Sequence, residues 1–481
     1  MIKSSVMSNI IRKQKLLSGV TRRDVLKYGV CGGLALGLSP GLWLNGCRRT
    51  GDGKLPSVIL ITVDTLRADH LGCYGYPRQT SVNTDRFASE AMLFEKCFSH
   101  APVTSSSFSS ILSGFLPHET KVFENKPLPP EVETFPAVLR RRGYKTVAVV
   151  SNYNLRGKAG WSKGFSIYDD QMKAHEQNKT IPERIAEHTS NRAVELLEKY
   201  HKEQLFLWVH YQDPHGPYFP PERFAKMFYD PEQKPRNLEV NKSLSGRGGI
   251  PSYQKLGDNR DFYYYLSRYD GEIRYWDEHF GRLIETMKAT GLYNDALIIF
   301  SSDHGEDMGH HDYFFSHGEN LYNSLIHVPL IVKFGSQFTG RKTHFVQHLD
   351  IVPTIFAFLG IEPDQRLRGR DLLNDEQSSR EVFSEMKSPV AREYKISVIF
   401  DHFKLMYSFR YKKYELFDLS IDHNEQYDLI SHPDYEKRSQ DLKVRLWRIH
   451  EGNLLGADNI SEPRRLKRDE LEKLRSLGYT E

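Results

Sequence analysis

Three apolar runs in this chain end in side chains that can bind a cation or move a proton. Val58-Ile59-Leu60-Ile61-Thr62-Val63 runs into Asp64. Phe206-Leu207-Trp208-Val209 runs into His210, with Asp213 and His215 a few residues on. Ala296-Leu297-Ile298-Ile299-Phe300 leads through Ser301 and Ser302 to Asp303 and His304. Runs of this length without polar alternation read as strands buried on both faces of a parallel sheet. Open α/β sheets hold ligands outside the carboxyl ends of such strands. An Asp in that place can also do no more than cap the next helix.

Asp303-His304 carries the most weight. A carboxylate beside an imidazole offers an oxygen and a nitrogen to one divalent cation, and Asp64 supplies a third ligand from another strand. Thr104 opens the segment Thr104 to Gly114, read as a helix with Thr104 as its N-cap and Gly114 as its terminator. A Thr hydroxyl is a weak nucleophile at neutral pH. Beside a divalent cation and the positive end of a helix its deprotonated form is stabilised, so Thr104 is a candidate fourth ligand and nucleophile. The same helix end suits the oxygens of a tetrahedral anion. The alternative is that Thr104 only caps the helix.

These residues need a large α/β scaffold, and the 481-residue length allows one plus an appendage. Helices are expected at Thr84 to Ala91, Thr134 to Arg142, Pro182 to Tyr200, Phe262 to Ala289 and Leu349 to Leu359. Further strands are expected at Thr146 to Val150 and Val328 to Val332. Residues 151–180 read as a polar surface excursion. Residues 220–258, rich in Pro, Gly and Lys, read as a long loop near the mouth of the site. After about residue 380, short alternating runs (Ile396 to Phe400, Phe403 to Ser408, Glu415 to Asp418) indicate a small antiparallel sheet, and Asp469 to Leu477 a closing amphipathic helix.

The first 46 residues stand apart. Thr21-Arg22-Arg23-Asp24-Val25-Leu26-Lys27 has the twin-arginine export pattern, and an uncharged, Gly-rich apolar stretch follows from Tyr28 to Leu44. Leu44-Asn45-Gly46-Cys47 has the form of a bacterial lipobox with Cys47 as the lipidated residue. A transmembrane anchor is the alternative, and either tethers the protein to a membrane. Subtracting this leader's seven Lys/Arg and its one acid, Asp24, from totals of 66 and 62 leaves the remainder at −2. The overall +4 therefore belongs to the leader, and nucleic-acid binding has no electrostatic support. Cys73 and Cys97, the two cysteines left beyond Cys47, are expected as buried thiols rather than a bridge.

The chain resembles the sulfatase family of the alkaline phosphatase superfamily. The resemblance rests on ordered blocks: Val58 to Tyr76 (VILITVDTLRADHLGCYGY), His100 to Gly114 (HAPVTSSSFSSILSG), Pro130 to Val150, His210 to Tyr218, Tyr269 to Gly309, and Ser316 to Val332 (SHGENLYNSLIHVPLIV). It implies an alkaline-phosphatase-like α/β fold: a central, mostly parallel sheet flanked by helices, with a small C-terminal α+β subdomain. The expected organisation is a twin-arginine/lipoprotein-type signal at 1–46, a linker at 47–56, a sulfatase-like catalytic domain at 57–375 and a C-terminal subdomain at 376–481, the first and last read from the residue patterns above. It implies Asp64, Asp303 and His304 as metal ligands and places Thr104 at the nucleophile position. His215 matches a histidine that contacts the anion or leaving group. His317 falls where many sulfatases have a Lys, and His311 is a weaker candidate. His210 has no firm match and reads as a supporting histidine.

Two departures bear on chemistry. Sulfatases oxidise a Cys or Ser in the pattern Cys/Ser-x-Pro/Ala-x-Arg to formylglycine, whereas this chain reads Thr104-Ser105-Ser106-Ser107-Phe108. No formylglycine is expected. Thr nucleophiles in this superfamily belong to phosphodiesterases and phosphoethanolamine or phosphoglycerol transferases, which form a phospho-Thr intermediate. The second departure is Thr65, where many sulfatases carry another Asp. The weaker negative field favours a single divalent ion, Mn²⁺ or Mg²⁺ ahead of Ca²⁺, with Zn²⁺ open.

The expectation is an exported, metal-dependent hydrolase of the bacterial cell envelope, periplasmic or cell-surface. Its substrate is an anionic ester (a sulfated or phosphorylated glycan, lipid or small molecule), with phosphoester or phosphodiester chemistry favoured over sulfate ester. The alternatives are a formylglycine-independent sulfuric ester hydrolase and a non-catalytic anion- or glycan-binding envelope protein of the same fold.

Overall fold

All six side chains of Val58–Val63 (β1) are buried, as an uninterrupted apolar run requires. The computed structural model describes residues 55–172, 182–336, 338–374, 379–389 and 391–454. The leader, Cys47 with most of its linker, and the helix expected at Asp469 to Leu477 lie outside the described residues.

The main sheet has eight strands. After β1 come Met92–Phe98 (β2), Lys145–Val150 (β3), Ile167–Asp169 (β4), Leu205–Tyr211 (β5), Leu297–Ser302 (β6), His327–Lys333 (β7) and Gly340–Gln347 (β8). Their spatial order is β8-β2-β7-β6-β1-β5-β3-β4. β1 lies between β5 and β6 and is parallel to both. β3 continues parallel from β5, and β4 from β3. β7 runs antiparallel to β6 and β2, and β8 is parallel to β2. The expected mostly parallel sheet is therefore present, with one reversed strand inside it.

Alternation along β1 sends its side chains to two cores. Ile59, Ile61 and Val63 pack with helices Val82–Ser89 (α1), Ala186–Tyr200 (α4) and Phe262–Ala289 (α5), through Phe87, Leu197, Trp276 and Phe280. Val58 and Leu60 pack on the opposite face with Thr104–Ser113 (α2), Phe135–Arg141 (α3) and Ile351–Leu359 (α6), through Phe108, Ile111, Leu139 and Ile355. Removing one such side chain, for example Ile61→Ala, costs about 2–5 kcal/mol.

Register positions the site. Thr62 of β1 pairs with His210 on one side and Ser301 on the other, and Val63 pairs with Tyr211 and Ser302. The three strands thus stop level with one another, which brings Asp64, Gln212 and Asp303 to one edge of the sheet. β5 runs two residues beyond the apolar stretch, so His210 lies inside the strand rather than past its end.

Glu381–Ser388 (β9), Glu393–Phe400 (β10), Phe403–Ser408 (β11) and Lys413–Asp418 (β12) form an antiparallel sheet in sequential order, with the helix Glu436–Leu454 (α7) after it. The Lys404 ammonium makes a fully buried ion pair with Glu425 at 2.6 Å and donates to Asn323 Oδ1 at 3.1 Å. Glu425 also accepts from the Asn323 amide at 2.6 Å, which ties this sheet to the turn before β7.

Residues 151–172 are not a plain surface excursion. Trp161 and Phe165 are buried, Phe165 lying 5.9 Å from Trp208 ring to ring, and β4 extends the sheet there. Aromatic side chains spaced among Gly, Lys and Ser leave no periodic signal. β8, β9 and α7 likewise escaped the sequence pattern, because their apolar positions are interrupted by charged residues.

Candidate active site

Asp64, Asp303 and His304 are fully buried, and one ligand atom from each lies within 4.8 Å of the others. His304 Nε2 is 4.0 Å from Asp64 Oδ1 and 3.5 Å from Asp303 Oδ2. His304 Nδ1 donates to the Gly305 carbonyl at 2.9 Å, which fixes the tautomer and turns Nε2 to the carboxylates. Asp303 Oδ1 accepts from the amides of Thr65 (3.2 Å) and His304 (2.8 Å). The Thr65 amide reaches it because Thr65 adopts a left-handed backbone (φ 52°), a costly conformation for a β-branched residue. Tyr269 of α5 secures that turn, donating to the Thr65 carbonyl at 2.7 Å.

Two oxygens remain without any hydrogen bond, Asp64 Oδ1 and Asp303 Oδ2, both buried. Leaving two buried carboxylate oxygens unpaired is unfavourable unless a cation takes them. Two carboxylates and a neutral imidazole fit a divalent ion. Burial alone would raise Asp64, but the nearby imidazoles of His210, His215 and His304 hold its carboxyl well below the usual range. Burial and the charge of Asp64 push Asp303 up to about 6.

Thr104 meets this cluster from α2, its Oγ1 3.5 Å from His304 Nε2. Thr104 is the first helical residue and not the N-cap; Val103, in extended backbone, holds that position. Its hydroxyl is therefore not engaged in capping. Gly114 ends α2 in the left-handed conformation, as expected. Ser107, one turn into the helix, donates to the Asp303 carbonyl at 2.7 Å, so the helix start and the strand end are locked together.

His215 and His317 stand next to one another, with ring centres 5.1 Å apart, and His317 lies 4.6 Å from His304. The sequence-predicted set Asp64, Thr104, His215, Asp303, His304 and His317 is thus brought together. His311 is not part of it. It stacks on Tyr322 at 3.5 Å and its Nε2 faces the Asn424 carbonyl at 3.2 Å, because a left-handed turn (φ 52°) directs it toward the C-terminal sheet. His210 supports the cluster: its Nε2 lies 3.6 Å from Asp64 Oδ2 and its Nδ1 3.2 Å from Thr62 Oγ1.

Two members were missed. Asn152, just past β3, donates from Nδ2 to Asp64 Oδ2 at 2.6 Å. Its signal was its place at a strand end, level with the others. Glu306 is fully buried and bonds His317 Nδ1 through Oε1 at 3.0 Å. Its signal was its position two residues after His304.

A sequence profile of the sulfatase family matches residues 56–361, and one described as N-sulphoglucosamine sulphohydrolase, C-terminal, matches residues 309–452. The chain belongs to the sulfatase family, hydrolases that act on anionic esters with a divalent metal ion. The sulfatase YidJ of Escherichia coli (strain K12) is 24% identical over 465 residues, covering 85% of this chain and 88% of that protein. A structure solved with its substrate D-glucosamine-2-N,6-O-disulfate superposes with a TM-score of 0.70 at 17% identity, covering 85% of this chain and 100% of the other. The phosphonate monoester hydrolase of Agrobacterium radiobacter superposes with a TM-score of 0.66 at 20% identity, covering 85% and 100% respectively.

Proposed function

We propose that this chain is a metal-dependent hydrolase of an anionic ester with Thr104 as nucleophile, favouring phosphoesters or phosphodiesters over sulfate esters. The observation that carries the reading is the position of the Thr104 hydroxyl, 3.5 Å from His304 Nε2 at the N-terminus of α2. The unpaired oxygens of Asp64 and Asp303, together with His304 Nε2, would hold the ion, which supplies positive charge beside the reacting group.

Thr104 Oγ1, as the alkoxide after its proton has passed to solvent, attacks the central phosphorus in line, and the bond from phosphorus to the leaving-group oxygen breaks. The start of α2 stabilises the equatorial oxygens with its backbone dipoles. His317 or His215 delivers a proton to the departing oxygen. Water then hydrolyses the Thr ester, returning the hydroxyl and releasing the anion. A formylglycine hydrate can expel sulfate by reforming its aldehyde, and Thr has no such exit. This difference, together with the fold shared with a phosphonate monoester hydrolase, supports the phosphorus preference. The leader pattern supports a location in the bacterial cell envelope, with export by the twin-arginine route and a tether through Cys47.

The test compares an aryl phosphodiester with an aryl sulfate across Mn²⁺, Mg²⁺, Ca²⁺ and Zn²⁺. Phosphodiester turnover that is lost in Thr104→Ala, with metal content unchanged, is the expected result. Sulfate turnover in its place would reverse the substrate preference. Undiminished turnover in Thr104→Ala would remove Thr104 from the mechanism.

A further inference from the structure

A second group of imidazoles stands apart from the strand-end cluster. Those of His310, His311, His327 and His423 line one cavity of about 10 Å³, room for a single water or ion. The cavity backs on the segment that follows His304: Arg67 on its wall donates to the Glu306 carbonyl at 2.8 Å, and Ser324 donates to Asp307 Oδ1 at 2.6 Å. Neither Asp64, Asp303, His304 nor Thr104 lines it. The charges on its wall are matched. Arg67 holds Asp69 through two bonds of 2.8 and 2.7 Å, and Glu425 is paired with Lys404 at 2.6 Å. What the wall has left for a ligand is mainly imidazole nitrogen.

Burial holds all four rings below the ordinary His range, His310 and His327 at about 4. At neutral pH each therefore keeps one lone pair. A carbonyl oxygen can only accept, so His327 Nε2, 2.8 Å from the Glu95 carbonyl, carries the hydrogen and Nδ1 the lone pair. Imidazoles that bind metals are oriented by such a bond from their other nitrogen. The rings of His327 and His423 lie 5.1 Å apart, centre to centre, at 87°. Two imidazoles on one tetrahedral zinc ion, with Zn–N near 2.0–2.1 Å, have ring centres about 5 Å apart. Among the described residues three ligand atoms converge within 4.8 Å only at Asp64, Asp303 and His304. The second cavity thus offers two protein ligands, with space for water beside them.

We propose that His327 and His423 form a second metal site, a two-imidazole clasp for a d-block cation such as Zn²⁺, with water completing its shell. Those waters donate hydrogen bonds, which His310 Nδ1, buried without a partner, and the Asp69 carboxylate can accept. Nitrogen ligands disfavour Mg²⁺ and Ca²⁺, which take oxygen. His327 opens β7 of the main sheet and His423 follows β12, so the ion ties the C-terminal sheet to the catalytic body without entering the reaction. The site does not depend on the ester-hydrolase reading.

The full-length protein is titrated with Zn²⁺ by calorimetry, the parent against His423→Ala and His327→Gln. His423 is exposed, so its replacement does not open the core. The parent should bind one Zn²⁺ per chain more than either variant. The strand-end cluster is separated by a second comparison, Asp303→Asn against Asp303→Asn with His423→Ala, which should again differ by one ion. Zn²⁺ should also raise the melting temperature of Asp303→Asn, and this rise should vanish with His423→Ala. Mg²⁺ titrations of the parent and His423→Ala should coincide. Equal Zn²⁺ stoichiometry in the parent and His423→Ala, or an Mg²⁺ event lost together with the Zn²⁺ event in that variant, would overturn the proposal.

Discussion

His317 Nδ1 and Glu306 Oε1 are 3.0 Å apart, and both side chains are sealed from solvent. Burial pushes Glu306 up to about 7 and pulls His317 down to about 3, where the neighbouring His304 adds to the effect. With Glu306 accepting, one hydrogen resides on Nδ1, and the form that can donate to a leaving group from Nε2 is the imidazolium, which the Glu306 carboxylate stabilises against burial. Glu306→Ala should lower kcat by about 10²-fold for alkyl esters and much less for nitrophenyl esters, whose leaving group needs no proton. Glu306→Gln, which still accepts through Oε1, should restore most of the difference. Leaving-group dependence measured on the two variants checks this.

The two carboxylates at the cluster repel one another when no cation is bound. Asp303, pushed up to about 6, has a folded-state pKa above its unfolded value near 3.8. Its contribution to stability is therefore greatest below pH 3.8 and is lost as pH rises through 6. After chelation, Asp303→Asn should raise the melting temperature at pH 7.5 relative to the parent chain. With a divalent ion present the same substitution should lower it, by removing a ligand. Calorimetric melting with and without chelator reads both signs.

His100 and His327 are buried and donate to, or accept hydrogen from, nothing that favours their charge strongly enough to offset burial. Each is pulled down to about 4. Between pH 4 and 6.5 the unfolded chain binds more protons at these positions than the folded one. Stability is then complete above pH 6.5 and falls toward pH 4, by about 3 kcal/mol for each residue. His327→Gln, able to keep the bond to the Glu95 carbonyl now made at 2.8 Å, should flatten the acid limb of stability measured from pH 4.5 to 7.5.

Lys404 and Glu425 are paired at 2.6 Å with no exposure at the lysine and 1% at the glutamate. Removing one partner strands the other's charge in the interior. Glu425→Ala should destabilise the protein by about 3–5 kcal/mol. Lys404→Met with Glu425→Leu should recover much of that loss, and denaturant unfolding of the single and double variants measures it.

The site was legible wherever a residue type and a strand end coincided. Asp64, Asp303 and His304 each follow an apolar run whose only physical reading is a buried strand, and Thr104 precedes a helix with a Gly terminator. The sheet and its flanking helices followed from the same periodicities. His311, the weaker candidate, lies away from the cluster, because proximity in sequence to His304 says nothing about the left-handed backbone that His311 adopts. Thr104 was read as a cap because its side chain suits one; the backbone of Val103 decides otherwise.

The sequence by itself determined the candidate metal ligands, the candidate nucleophile and the strands that carry them, since these depend on local composition and on short-range pattern. Only the tertiary structure decided which polar groups share a space. Register across β5, β1 and β6 levels the strand ends, and contacts between residues about 90 to 240 positions apart join Asn152 to Asp64 and Thr65 to Asp303. The pairing of the His327 and His423 rings belongs to the same class. Such contacts arise from packing of the whole chain, and no window of sequence contains both partners.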